Sequence, residues 1–321
     1  MSDEFTPDLE STPYEPELDL SPTPEPAPTD LVQAGGEAPG LFQSFSQPEA
    51  IAPTRIPHLG HLALFGAFLI FGFLIMTVMI LIAVYLQSHS MSNLDRIKTS
   101  VPYILGSEAI LYIVTLALSF GIFPLFWNKS FFAGIHWRGA TVLRHYRLLI
   151  LVALTCIVLA LIDDKLMPSP ANAPIDDMFR SPGAAWLMFG FGVTFAPFFE
   201  EIAFRGFLLP ALATAWDWVV ERSTDAPAPP LDDNGHPEWS LWAMVAASFA
   251  TSLPFALVHA QQTGWALGPF LLLSTVSLIL CAVRLKTRSL AASTMVHACY
   301  NFILFTSALI ASGGFRHFDK I

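Results

Sequence analysis

The sequence predicts an all-α polytopic membrane protein with seven to eight transmembrane helices and a disordered acidic N-terminal tail. Three observations carry that reading. The 321 residues are 54% hydrophobic and 13% charged, with mean hydropathy +0.55, whereas a soluble domain carries about 25% charged residues. Apolar runs near the length of a bilayer crossing recur from Leu62 to the C-terminus, separated by polar breaks. The net charge of −10 sits entirely in residues 1–57, which hold eleven acids and one base, Arg55. The rest of the chain is balanced, so no basic surface argues for nucleic acid.

Eleven of the first 57 residues are proline, mixed with Ser, Thr and Glu. Such a segment buries too little apolar area to offset its ordering entropy. It also lacks the basic and apolar regions of a cleavable signal peptide, so insertion is expected to rely on the first membrane helix. Cys156, Cys281 and Cys299 lie in apolar runs without CxxC spacing, which argues against a disulfide framework or a thiolate metal site.

A helix needs about 20 mostly apolar residues to cross the hydrocarbon core. Seven runs qualify as candidates: Leu62 to Leu86, Tyr103 to Phe126, Leu148 to Ile162, Ala184 to about Leu209, Leu241 to His259, Ala266 to Val283 and Ser289 to Ala311. Leu208 to Val220 either extends the fourth or forms an eighth element. No strand-period alternation persists, so backbone groups are satisfied within helices. The chain divides into the tail (1–57), N-terminal membrane helices (58–182), a helical core (183–312) and a short C-terminal tail (313–321). Basic residues gather at Lys129, Arg138, Arg144 and Arg147, and again at Arg284, Lys286 and Arg288, while the Asp163–Asp177 loop is acidic. Seven crossings put both basic clusters and the N-terminal tail on one side, which the positive-inside rule makes cytoplasmic; the expected location is the plasma membrane.

Ionisable side chains at membrane depth are costly and usually functional. Here they cluster as Glu200-Glu201 with Arg205, His259 behind Phe255, and His297 with Asn301. Glu201 and Arg205 stand at i and i+4, the favourable order for an ion pair along one helix face. Glu200 is about 100° away around the axis and faces something else. His297 and Asn301 share a face by the same spacing, and Phe255 is placed to wall the pocket beneath His259. Pro197 and Pro254, just before Glu200 and His259, each free a backbone carbonyl. Glu108 is read as an acid at headgroup level, and the other seven histidines as loop or flank residues. Counted from the helix starts, Glu200 and His297 fall toward the cytoplasmic side and His259 near the far end of its helix, which predicts one short, broken or re-entrant element.

This ordered set on three apolar helices resembles the CPBP family, which comprises CAAX-processing proteases and bacteriocin-immunity-related (Abi-type) membrane proteins. The resemblance covers about Ala184 to Ala311, and makes residues 183–312 its catalytic core. The loop from Ser223 to Trp239, between the first two motifs, is longer than the family pattern leads one to expect. The resemblance implies intramembrane proteolysis and maps the family's first Glu onto Glu200, its histidines onto His259 and His297 and its Asn onto Asn301.

Amide hydrolysis needs a nucleophile, a base and oxyanion donors. The motifs contain no suitably placed Ser or Cys, and Ser107 lacks a nucleophile loop, so water is the expected nucleophile. Glu200 with His259 would activate it, and His297 with Asn301 would hold the oxyanion. Glu201 and Arg205 are the structural support. No cofactor is expected; zinc on Glu200, His259 and His297, a metalloendopeptidase-like set, is the alternative. The expected partners are the lipid bilayer and a membrane-anchored or lipidated protein substrate. A non-catalytic carrier or an immunity-type scaffold of the same fold is the rival function. The oligomeric state is left open.

Overall fold

The computed structural model describes residues 55–88, 100–167, 174–177, 179, 181–225, 227–232 and 237–316. The expected tail falls outside them, except for Arg55 to Pro57, and so do His89, His236 and the end of the C-terminal tail. In the order of the chain the helices are α1 (Leu59–Ser88), α2 (Val101–Trp127), α3 (Phe131–Gly134), α4 (Gly139–Leu166), α5 (Pro174–Asp177), α6 (Pro182–Gly190), α7 (Ala196–Glu201), α8 (Leu209–Thr224), α9 (Leu241–Ala260), α10 (Leu267–Thr287) and α11 (Leu290–Ala311). Two π-helical stretches, Phe191–Phe195 and Ile202–Leu208, join α6 to α7 and α7 to α8. No strand is formed among the described residues, and Leu231 and Pro237 make one isolated bridge.

Seven of the described helical elements are long and apolar enough to cross a membrane. They turn large apolar side chains outward, as at Leu125 (81% exposed) and Leu86 (66%). Such surface suits a lipid solvent and not water. The run from Leu208 to Val220 is the continuation of the fourth crossing: Pro182–Thr224 is one helical element of 43 residues. At about 1.5 Å per residue it is roughly twice as long as a hydrocarbon core is thick.

Both π stretches end against a proline. In the first, the N–H of Ala196 reaches back five residues to Phe191 O. In the second, the N–H of Leu209 reaches Phe204 O. Pro197 and Pro210 follow immediately. A proline ring lacks the N–H and crowds the carbonyl four residues back, and widening the turn relieves that crowding. Pro124 and Pro254 sit inside α2 and α9 without a π turn, so proline alone does not dictate one.

The 43-residue element is a spine along which two helices run antiparallel. On α9, Ser240 bonds Asp217, and His259 stands against Glu200. On α11, Leu290 packs at Gly206, His297 meets Glu200 and Glu201, and Asn301 bonds Gly192. Because α9 starts opposite Asp217 and α11 opposite Gly206, the two are offset by about 16 Å along the spine. This offset corrects the expected short, broken or re-entrant element. A histidine at the end of α9 and another in the second turn of α11 reach one level with every helix intact.

The two basic clusters meet at one end of the bundle, where Arg138 and Arg288 both approach Asp232, at 4.0 and 3.1 Å. At the opposite end the start of α10 lies against the end of α4. A Cβ on Gly268 would stand 2.6 Å from Met167 O, so only glycine permits this approach. The three cysteines are free.

Candidate active site

Glu200 and Glu201 occupy the α-helical turn between the two π stretches and diverge as their spacing predicts. Glu201 and Arg205 are both fully buried, and Oε1 of Glu201 accepts from NH1 of Arg205 at 2.9 Å. NH2 of Arg205 donates to Oγ and O of Ser277 on α10, at 2.6 and 3.2 Å, and the guanidinium lies over the Phe255 ring at 4.5 Å. This buried pair therefore ties the spine to α9 and α10. A second contact was not legible in the spacing: Nδ1 of His297 lies 3.2 Å from the same Glu201 oxygen.

Glu200 points the other way. Its Oε1 lies 3.8 Å from Nε2 of His259 and its Oε2 lies 3.8 Å from Nε2 of His297. Both separations exceed a direct hydrogen bond and suit an intervening water. The ring tautomers follow from the other nitrogens. Nδ1 of His259 is 2.8 Å from Phe255 O, a carbonyl that can only accept, so Nδ1 carries the proton. Nδ1 of His297 likewise donates to the Glu201 carboxylate. In both rings Nε2 is then the atom turned toward Glu200, an acceptor in a neutral ring and a donor in an imidazolium. Phe255 walls both rings, with centroids 4.9 Å from His259 and 5.9 Å from His297.

Asn301 meets the first π stretch. Its Nδ2 donates to Gly192 O at 2.7 Å. In the five-residue pattern the carbonyl of Gly192 would accept from residue 197, but that residue is proline. Asn301 replaces the missing N–H, and its second amide hydrogen remains for another acceptor. Close approach here also needs Gly192, since a Cβ would stand 2.8 Å from the Phe305 ring.

These groups line a cavity of about 360 Å³ that contains Glu200, His259, His297 and Asn301 together. Glu108 lines it as well and is partly buried. The headgroup-level reading of Glu108 is therefore corrected: α2 carries it to the site, where Tyr112, one turn on, stacks on Phe199 with centroids 3.8 Å apart. The spacing Glu108-x-x-x-Tyr112 in an apolar run was the available signal. Ser107 donates to Ile104 O within its own helix and does not line the cavity. Among the described residues no three His, Cys, Asp or Glu side chains group closely enough to hold a metal ion.

No curated protein and no solved structure matches the chain. Residues 182–303 match a family model described as Type II CAAX prenyl endopeptidase Rce1-like. The matched stretch begins at α6 and closes two residues past Asn301, so it contains the spine and all seven motif residues, both histidines among them. Residues 182–303, which carry Glu200, His259, His297 and Asn301 but not the Glu108 and Tyr112 of the same cavity, thus match the CPBP/CAAX protease family as an Rce1-like domain.

Proposed function

We propose that the chain is an intramembrane endopeptidase that cleaves peptide bonds near the termini of membrane-anchored proteins, with Glu200 activating water. The observation that carries this is the pair of 3.8 Å gaps between the Glu200 carboxylate and the Nε2 atoms of two imidazoles, inside a cavity among helices long and apolar enough to cross a membrane. A water in the first gap donates one hydrogen to Glu200 and one to His259. As the water oxygen attacks the scissile carbonyl, Glu200 takes its proton and later returns it to the leaving amine.

The developing oxyanion is met by the free amide hydrogen of Asn301 and by His297. Since Nδ1 of His297 is committed to Glu201, its Nε2 donates only from the imidazolium. That cation is held by Glu201, whose own charge is shared with Arg205. Glu201 and Arg205 thus act through His297 and through packing, without touching substrate. The apolar wall formed by Leu105, Met188, Phe191 and Leu304 suits the lipid or apolar flank of a prenylated C-terminal peptide. The basic end of the bundle faces the cytoplasm on this reading, and the tail emerges there.

The test is cleavage of a farnesylated C-terminal peptide by the purified protein in detergent, followed by mass spectrometry. Wild type should release the terminal tripeptide and keep doing so in a strong zinc chelator. Glu200→Gln should lose at least about a hundredfold in rate, the usual contribution of a general base. Loss of activity in chelator with recovery on added zinc would replace the water-and-glutamate mechanism by the zinc one. Equal products from wild type and Glu200→Gln would remove the assignment altogether.

A further inference from the structure

A second cavity, of about 440 Å³, opens at the basic end of the bundle, away from the residues that surround Glu200. Its walls come from the end of α10 (Arg284, Lys286), from Arg288 just beyond it, from His136 in the α3–α4 connection, and from Glu238 and Trp239 before α9. The last two belong to the loop from Ser223 to Trp239, whose length stood out in the sequence. The loops are pinned at the back of the cavity. Leu290 N donates to His136 O at 3.0 Å, and Ser289 Oγ donates to Arg138 O at 2.9 Å.

Arg284 is the informative member. It is 2% exposed and forms no ion pair with any described residue. Its NH2 is 3.0 Å from Nδ1 of His136 and its Nε has no hydrogen-bond partner. An arginine only donates, so Nδ1 of His136 accepts and that imidazole is neutral. Among the described residues no carboxylate lies within ion-pair distance of this buried guanidinium, an arrangement that costs several kcal/mol unless something compensates it. The acid on the wall does not serve, because Glu238 is 2.9 Å from NH2 of Arg288 and is paired there. Lys286 adds a further exposed positive charge at the mouth.

We infer that this cavity is a binding site for a phosphate-bearing anion, with the buried Arg284 as its anchor and Lys286 as its rim contact. Guanidinium forks match phosphate oxygens in geometry and charge. The volume far exceeds that of one water, so a headgroup fits with its solvent. Trp239 in the wall and Trp242, 70% exposed at the start of α9, mark an interfacial level. The phosphate can thus arrive either on an anionic lipid or free from the aqueous side. This inference does not rest on the protease reading.

The test uses the full chain, purified in detergent and stripped of lipid. Thermal unfolding is followed against inorganic phosphate, at ionic strength matched with chloride, and against phosphatidic acid added to phosphatidylcholine mixed micelles. Wild type should gain in midpoint with at least one of them. A gain with inorganic phosphate identifies a soluble ligand, and a gain with phosphatidic acid alone identifies the lipid. Arg284→Gln should weaken the apparent affinity by about tenfold, the loss of one charge-assisted contact. Lys286→Glu, at an exposed position that leaves the fold alone, should weaken it in the same direction. No gain with either anion, or an unchanged gain in a folded Lys286→Glu, would overturn the site.

Discussion

Glu200 and Glu201 are adjacent in the chain, yet one faces the cavity and the other is sealed from it. The difference is one helical step. A single turn of α-helix between two π stretches sends Glu201 to Arg205 and Ser277 and leaves Glu200 to the histidines. Removing one partner of a buried pair typically costs about 3–5 kcal/mol, because the other charge is left without compensation. Glu201→Gln should therefore lower the unfolding midpoint in detergent markedly, and Arg205→Met should do the same. Glu200→Gln should leave the midpoint nearly unchanged, since its carboxylate makes no direct hydrogen bond in the resting geometry. Cleavage and unfolding measured on the same three preparations separate the roles; a destabilised Glu200→Gln beside a stable Glu201→Gln would reverse them. At this scale much of the site was legible. Fixed i, i+4 spacing on apolar helices announced the Glu201–Arg205 pair and the wall made by Phe255. The approach of His297 to Glu201 was not legible, because it depends on which residue of α11 lies level with the spine.

That level is set by elements, and the decisive ones are irregular. A hydropathy run reports how long an apolar stretch is and says little of its turn width or its starting height. The run from Ala184 could thus be read as ending near Leu209, when it continues unbroken to Thr224. Pro197 was visible as a helix perturbation and Pro210 went unread, while Pro254 is a perturbation of the same kind that leaves no π turn. The structure supplies the missing distinction at Gly192, whose carbonyl is left over by Pro197 and taken by Asn301. This predicts energetic coupling between residues on different helices. Asn301→Leu should destabilise by about 1–3 kcal/mol, the cost of an unsatisfied buried carbonyl. In a Pro197→Ala background the restored N–H can serve Gly192 instead, and the same substitution should cost less by about 1 kcal/mol. A double-mutant cycle on detergent unfolding measures this term. Additive effects would mean that the carbonyl is satisfied some other way, and that Asn301 packs without holding the π turn.

At the scale of the whole molecule, the chain separates a neutral helical body from a tail that carries all the net charge. The boundary is sharper than the charge count suggested. Arg55, the one base among the first 57 residues, bonds Glu221 at the far end of the spine at 2.6 Å. Ile56 is buried in the aromatic cluster that includes Phe65, Phe123, Trp127 and Phe207. Both residues thus belong to the body, and the functional tail ends before them. None of the site residues precedes Glu108, and an anionic segment beside an anionic leaflet is repelled from it. Deleting residues 1–52 should therefore leave turnover of a neutral peptide within about threefold, equivalent to roughly 0.65 kcal/mol in barrier. Extending the deletion through Ile56 removes the Glu221 partner and a buried apolar side chain. The burial alone is worth about 1.5–3 kcal/mol, so the longer truncation should unfold at lower temperature than the shorter one. Turnover and unfolding of the two truncations, measured side by side, decide the matter. If the 1–52 deletion kept its helical circular dichroism and its midpoint yet lost turnover a hundredfold, the acidic tail would be part of the working enzyme, and the division of the chain drawn here would fail.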